Sequence, residues 1–207
     1  MQTQTQTQLE HDQLVEQKLQ KLRDLYADAP EIGKAAMKNG LSMLTEELAG
    51  AGRAQTAGRI GARQGKVSEL TVFLPFVKGG AKRLRGLLQL LEGNFRAADA
   101  VGTVHDMRFV FVDNDTKLLF ATAYDGDFDP YIEDFAAKIP NAMDLWLCNF
   151  EGYPGMRSAA AAADWIAKHQ IAAEAWYVNS PNLTAAETRR LEGVGKAVDE
   201  FLDKISA

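Results

Sequence analysis

The sequence predicts an α+β fold built round an antiparallel sheet. Beyond residue 66, short β-rich runs alternate with runs whose apolar residues have helical spacing, and residues 104–124 have the pattern of a β-hairpin. Hydrophobic residues make up 46% of the 207 positions, which is enough for a substantial core. The chain is therefore long enough for one such domain and a helical extension.

The chain before residue 67 differs in composition from the rest. Residues 1–12 begin with an alternating Gln-Thr run that has nothing to bury, so we predict a disordered tail. Residues 13–50 contain two stretches with loosely helical apolar spacing and are predicted to form a helical accessory segment. Residues 51–66 are rich in glycine and arginine, which favours a flexible linker. The main domain is predicted to cover residues 67–207.

The first part of the main domain has the pattern β-α-β-β. Residues 70–77 (LTVFLPFV) are β-rich, and a helix with regularly spaced leucines follows Gly80 and stops near Gly93. Residues 104–112 and 117–124 are predicted to be antiparallel strands, because the four residues between them (DNDT) are typical of a turn.

The second part continues with a helix, a strand and an αβα extension. Asp129 and Pro130 are typical of a helix start, and Pro140 of its end. The predicted elements that follow are a strand over 145–150, a helix over 158–169, a strand over 175–178 and a helix over 185–205. Thr184 and Glu187 have the spacing of a capping box at the start of the last helix. The order β-α-β-β-α-β is that of ferredoxin-like folds.

Three motifs in this domain resemble those of a family of largely uncharacterised bacterial proteins. They are GTVHDMR from Gly102, LLFATAYDGDFDPYIEDF up to Phe135, and EGYPG from Glu151. The resemblance covers about residues 65–205 and implies the fold rather than a particular activity. More remotely, the element order is similar to the dimeric α+β barrel superfamily, which includes chlorite dismutases, dye-decolorising peroxidases, haem-degrading monooxygenases and cofactor-free small-molecule enzymes. That similarity is compatible with a haem cofactor and equally with the absence of any cofactor.

Charge and cysteine content exclude several classes of protein. The net charge of −5 and the pI near 5.3 argue against a nucleic-acid partner, because phosphate binding needs a basic surface. Cys148 is the single cysteine, so a disulfide scaffold is excluded. The first residues lack the pattern of a signal peptide, and no apolar stretch has the length of a membrane span. We therefore predict a cytoplasmic protein without a membrane partner.

The predicted hairpin carries apolar residues on both faces. With a four-residue turn, facing residues have numbers that sum to 229, which pairs His105 with Tyr124 and Phe109 with Phe120 on one face. The other face is also largely apolar, whereas a sheet with one face in water alternates apolar with polar residues. Both faces are thus expected to be covered, which predicts a homodimer and a pocket between the sheet and its cover.

His105 is the best candidate for a general base, hydrogen-bond donor or metal ligand, with Tyr124 as its expected neighbour. The alternative is a partly buried histidine that bonds to a carbonyl or hydroxyl. Arg108, the third candidate catalytic residue, is expected on the opposite face unless a bulge intervenes. We expect Arg108 to pair with Asp106 or with a carboxylate of the DGDFD loop.

Six residues are candidates for lining the pocket because they are apolar or aromatic, or share a face with His105. They are Met107, Phe109, Phe120, Thr122, Trp146 and Tyr153. His169 ends a helix, where it serves either as a surface residue or, by fold analogy, as an axial haem ligand. The acidic loop that starts at Asp125 lacks the glycine and glutamate positions of an EF-hand, so no metal is predicted there. Cys148 is predicted to be a small apolar strand residue.

Three functions follow from these features. The first is a small-molecule-binding protein, or a cofactor-independent enzyme, with an apolar or aromatic ligand on the sheet face and His105 as its polar contact. The second is a haem-dependent peroxidase or oxygenase of the dimeric α+β barrel type. The third is a non-enzymatic assembly module in which the N-terminal helices and the basic linker bind a partner.

Overall fold

The computed structural model describes residues 2–50 and 55–206. The chain divides into two compact units, Met1–Arg53 and Ala54–Ala207. The prediction of an α+β fold round an antiparallel sheet is confirmed, and the whole sheet belongs to the second unit.

The first unit consists of three helices: α1 (Gln2–Leu25), α2 (Glu31–Asn39) and α3 (Leu41–Gly50). Helices α1 and α3 pack together, and Val15 and Leu19 are buried. The structure differs from the predicted disordered tail, since α1 already begins at Gln2. Glutamine is a good helix former, so the Gln-Thr run is compatible with the start of the helix in which Val15 and Leu19 are buried.

The second unit contains five strands in the order β1-β2-β3-β5-β4, and every neighbouring pair is antiparallel. The strands are β1 (Gln55–Thr56), β2 (Ala62–Gln64), β3 (Val67–Pro75), β4 (Val104–Val112) and β5 (Lys117–Asp125). Residues 55–64 were expected to be a flexible linker, but they form the first two strands. Residues 51–54 of that predicted linker lie outside the described residues.

Tight turns explain why this glycine-rich segment is structured. Gly58 and Gly61 have φ of +80° and +85°, a conformation that glycine adopts without strain. At Gly61 the backbone also passes so close to the Glu69 carbonyl that a Cβ atom would collide with it. These glycines therefore allow the tight turns of a compact hairpin. The glycine-rich composition alone had indicated a flexible segment.

The helices of the second unit are α4 (Gly80–Leu91), α5 (Arg96–Val101), α6 (Phe128–Lys138), α7 (Pro140–Leu147), α8 (Ala159–Lys168) and α9 (Ala185–Ser206). The strand predicted over 145–150 is wrong: its first half belongs to α7, and Phe150 makes only an isolated bridge to Phe76. Pro140, expected to end a helix, occupies the first turn of the next one, where its missing N–H costs nothing. The strand predicted over 175–178 is also wrong, since this segment is irregular.

One face of the sheet carries the main core. Leu70, Val72 and Leu118 are buried there against residues of the helices, such as Leu84 and Ile166. The opposite face is less buried, because Phe73, Leu119 and Ala121 are only half-buried and Val110 is 46% exposed. The site described next lies at the end of this sheet, where β4 begins and β5 ends.

Candidate functional site

The pairing of β4 with β5 follows the predicted register except at the start of β4. Met107 lies opposite Thr122 and Phe109 opposite Phe120, as expected. Val104, however, lies opposite Tyr124, because the register shifts between residues 104 and 106. His105 is therefore the extra residue of a β-bulge, and the predicted pairing of His105 with Tyr124 is wrong.

His105 instead contacts a carboxylate. Its Nε2 atom lies 2.7 Å from Oδ1 of Asp125, the last residue of β5. The His105 and Asp125 side chains are 21% and 13% exposed. Most of each side chain is therefore shielded from water, while part of the imidazole stays accessible. When Nε2–H donates to Asp125, Nδ1 of the neutral ring is free to accept a proton.

The first turn of α9 holds Asp125 in place. The backbone N–H of Ala185 donates to both carboxylate oxygens of Asp125, at 3.0 and 3.3 Å. A carboxylate is stabilised at the N-terminus of a helix by the unpaired N–H groups and by the helix dipole. Asp125 thus connects His105 to the start of a 22-residue helix.

The predicted capping box at this helix start is confirmed. The Glu187 N–H donates to Thr184 Oγ1 at 3.1 Å, and the Thr184 N–H donates to Glu187 Oε2 at 2.7 Å. Lys66 Nζ also donates to both oxygens of Glu187, at 2.8 Å. The Lys66 ammonium and the Thr184 hydrogen bonds lower the pKa of Glu187 to about 2. The capping box fixes the backbone at the start of α9, next to Ala185, whose N–H donates to Asp125.

A groove of about 540 Å³ opens beside His105. This volume lies within the range of small-molecule sites in proteins. Its walls come from α5, the start of β4 and the first two turns of α9. The lining is apolar at Phe95, Val104 and Met107, and charged at the residues Asp99, Asp106, Arg189 and Glu192.

The charges in the groove are only loosely paired. Arg189 lies 3.7 Å from Asp99, and Arg108 lies 3.5 Å from Asp106, with more than two fifths of each side chain exposed. The expectation that Arg108 pairs with Asp106 is confirmed, although Arg108 itself does not line the groove. Loosely paired charges of this kind contribute little to stability and remain available to a ligand.

The residues predicted to line a sheet-face pocket lie mostly in the core. The ring centroid of Phe109 lies 5.0 Å from that of Phe120 and 5.6 Å from that of Trp146. The cavity among them has room for about 50 Å³, which suits one or two water molecules rather than a ligand. Thr122 donates its hydroxyl to the Asp106 carbonyl at 2.8 Å.

Met107 and Tyr153 differ from the other predicted lining residues in their position. Met107 contributes to both the cavity and the groove, so it is the member of the set that reaches the His105 site. Tyr153 donates to Asp144 at 2.7 Å and packs against Trp165. Burial and the Asp144 carboxylate raise the pKa of Tyr153.

Arginines from the β1–β2 segment neutralise the acidic loop after β5. Arg59 contacts Asp129 at 2.8 Å and Asp164 at 2.6 Å, while Arg63 contacts Asp127 at 2.7 Å. No group of three or more histidine, cysteine, aspartate or glutamate residues among the described positions has a geometry suited to a metal ion. The carboxylates of this loop thus take part in a structural ion-pair network.

The other histidine and the cysteine lie apart from the groove. His169 Nδ1 donates to the Trp165 carbonyl at 2.8 Å at the end of α8, and His169 does not line the groove. Cys148 is exposed and follows α7, so its prediction as a strand residue is wrong.

Sequence reasoning missed Asp125 as the partner of His105, and it also missed Asp99, Arg189 and Glu192. The available signal was the pairing of β4 with β5, which places the end of β5 beside the start of β4. A bulge at residue 105 is needed to turn that proximity into a contact, and the residues there have no feature that predicts one.

Comparisons with known proteins find no family model, no curated protein and no solved structure that matches this chain. Among the described helices, none combines the length and the apolar composition that crossing a membrane requires.

Proposed function

We propose that this protein binds a small organic molecule in the groove between α5, β4 and α9, with His105 as the group that acts on the molecule. The observation that carries the proposal is the 2.7 Å contact between His105 and Asp125 in the wall of a groove of about 540 Å³. A structural histidine needs no adjoining groove, whereas a histidine that handles a ligand needs both an orienting partner and access.

The chemistry follows from the orientation of the imidazole. Nε2–H donates to Asp125, so Nδ1 is the basic atom that can accept a proton from a bound hydroxyl, thiol or acidic C–H group. The Asp125 carboxylate stabilises the imidazolium that this transfer creates. Asp125 itself is held by the Ala185 N–H, so the pair is preorganised for a cofactor-independent proton transfer.

The lining of the groove indicates the general form of the ligand. Phe95, Val104 and Met107 offer an apolar surface to a hydrocarbon or aromatic portion. Arg189 and Glu192 lie on the α9 side and can pair with polar substituents. A molecule with an apolar body and at least one ionisable group is the best match.

We further propose that the second unit is a variant of the ferredoxin-like fold. Its strands β3, β5 and β4 lie side by side in that order, which is how the first, third and second strands of a split βαβ unit are arranged. Phe150 forms its bridge to Phe76 next to β3, where the fourth strand of that fold would lie. The segment after α7 would then be a shortened fourth strand.

A ligand screen with matched variants tests the proposed function. The full-length protein is screened by ligand-observed NMR against a fragment library of aromatic and aliphatic acids, amines and neutral compounds. Fragments that bind the groove are expected to bind at least about tenfold more weakly to His105→Ala and Arg189→Ala, since each variant removes a polar contact. His169→Ala, a histidine change outside the groove, is expected to bind them as the wild type does. Equal binding to His105→Ala and wild type, or a screen without any hit, would overturn the proposal.

A further inference from the structure

Helix α9 carries a stripe of exposed apolar side chains along its last four turns. We define the α9 stripe as Leu191, Val194, Val198, Phe201, Leu202 and Ile205, whose exposure runs from 47% to 63%. Leu191, Val194, Val198, Phe201 and Ile205 follow one another at alternating intervals of three and four residues. This spacing is that of the a and d positions of a coiled coil, so the stripe has the pattern of a helix–helix interface.

The α9 stripe faces away from the groove. The groove is lined by Ala185, Thr188, Arg189 and Glu192, which also share one face at helical spacing. At about 100° of rotation per residue, this groove face and the stripe point roughly 140° apart. Helix α9 therefore has one face for the ligand site and a different one for a partner.

The composition of α9 indicates that the helix needs a partner for stability. Of its 22 residues only Ala185 is buried, and Gly193 and Gly195 lie in its interior. Each interior glycine costs about 1 kcal/mol relative to alanine. Helices that are not packed against anything are marginal in water even without glycine. Packing of the stripe would supply the missing stabilisation.

We propose that the α9 helices of two copies of this chain pack antiparallel through the α9 stripe and form a homodimer. In the register that places a positions against d positions, Val198 lies opposite Phe201 of the partner subunit and Val194 opposite Ile205 of the partner subunit. Each small valine then faces a larger side chain. The absence of a side chain at Gly195 leaves space for Leu202 of the partner subunit.

The charge distribution along α9 determines the direction of pairing. From Ala185 to Ala197 the helix has three basic and two acidic residues, a net charge of +1, and from Val198 to Ser206 it has three acidic residues and one basic residue, a net charge of −2. Antiparallel packing places each basic half beside the partner's acidic half, whereas parallel packing places like charges together. The helix dipoles also favour the antiparallel arrangement.

The exposure of the stripe gives the two copies apolar surface to bury. Each of the six stripe residues is 47% to 63% exposed, so antiparallel pairing removes apolar surface of two helices from water at once.

The oligomeric state of the full-length protein is the first test. Analytical ultracentrifugation is expected to show a dimer in the micromolar range. Val198→Glu places a charge in the centre of the stripe and is expected to raise the dimer Kd at least about 100-fold. Lys196→Glu changes an exposed charge on the side of the helix away from the stripe, so it is expected to weaken the dimer only a few-fold. A monomeric wild type would overturn the proposal, and so would a dimer that Val198→Glu does not weaken.

Disulfide cross-linking tests the direction and register. In a Cys148→Ser background, the double variant with Val194→Cys and Ile205→Cys is expected to form disulfide dimers under mild oxidation, and the single variant with Val194→Cys is not. Tryptic mass spectrometry should identify a link between the peptide of residue 194 and that of residue 205. A link between two copies of residue 194 would show parallel helices and overturn the antiparallel arrangement. Circular dichroism of each variant identifies any that fails to fold.

Discussion

His105 is the extra residue of the β-bulge at the start of β4, and its Nε2 atom lies 2.7 Å from Oδ1 of Asp125 at the end of β5. The bulge breaks the alternation of side chains between the two sheet faces, so His105 leaves the position opposite Tyr124. The Ala185 N–H holds the other side of this carboxylate. A local irregularity in one strand thus creates the contact on which the proposed function rests.

The two histidines of the second unit are expected to adopt opposite tautomers when neutral. His105 donates from Nε2 to Asp125, whereas His169 donates from Nδ1 to the Trp165 carbonyl. Long-range ¹H–¹⁵N correlation spectra at mildly alkaline pH distinguish the two forms. An Nδ1–H tautomer at His105 would contradict the assignment of Nδ1 as the proton acceptor.

Asp125→Asn is expected to lower the free energy of unfolding of the second unit by about 1–2 kcal/mol. The change removes a charged acceptor from the first turn of α9 and from His105. Urea unfolding followed by tryptophan fluorescence is the suitable measurement, because the three tryptophans of the chain, Trp146, Trp165 and Trp176, all lie in this unit.

Asp106→Asn is the matched control for this change. Asp106 lines the same groove but is 55% exposed, and its contact with Arg108 is 3.5 Å long. Its replacement is expected to change the free energy of unfolding by no more than about 0.5 kcal/mol. Equal effects of the two variants would show that Asp125 has no special role.

The sequence predicts those features that depend on short-range patterns. The hairpin register follows from the length of its turn, and all pairs from Asp106 to Val112 agree with the predicted sum of 229. The capping box follows from the spacing of Thr184 and Glu187 alone. Both features depend on neighbouring residues, so tertiary contacts do not alter them.

The incorrect predictions concern segments that tertiary packing decides. The apolar run LWLCNF is compatible with a strand or a buried helix, and Trp146 packs in the core from α7. The hairpin of β1 and β2 depends on the docking of Arg59 and Arg63 on carboxylates about 60 or more residues away in the chain. The contact of His105 with Asp125 requires a bulge, which no local residue pattern predicts.

Glu187→Gln is expected to reduce the acid dependence of stability. The pKa of Glu187 falls from its ordinary value of 4.5 to about 2 in the folded state. A lowered pKa contributes stability that is fully present above pH 4.5 and is lost as the pH falls towards 2. The difference in unfolding free energy between wild type and Glu187→Gln should therefore shrink as the pH is lowered from 5 to about 2.

Glu200→Gln provides the control for this pH series, since it removes an exposed carboxyl group from the same helix. Urea unfolding at several pH values, again followed by tryptophan fluorescence, gives the curves. If the difference between wild type and Glu187→Gln stayed constant across this range, the hydrogen bonds of Glu187 to Thr184 and Lys66 would not persist in solution.

Gly61→Ala is expected to destabilise the second unit by more than about 3 kcal/mol. Alanine would have to adopt a φ of +85°, and its Cβ atom would collide with the Glu69 carbonyl. Gly126→Ala is the comparison: its φ is +81°, but its Cβ would enter open space, so only the conformational cost of about 1–2 kcal/mol applies. Urea unfolding of both variants is the measurement. Similar small effects would indicate that residues 55–64 do not form a packed hairpin.

Tyr124→Phe and Tyr131→Phe are expected to differ in their effect on stability, although the two rings stack with centroids 3.9 Å apart. The buried hydroxyl of Tyr124 has no hydrogen-bond partner among the described residues, so its removal should leave stability unchanged or raise it by up to about 1 kcal/mol. The Tyr131 hydroxyl lies 3.3 Å from Thr122 Oγ1, and its loss should cost about 0.5–1.5 kcal/mol. Urea unfolding of both variants gives the comparison. A loss of stability of more than about 1 kcal/mol in Tyr124→Phe, beyond the small cost of the void left by the oxygen, would mean that a bound water molecule satisfies this hydroxyl.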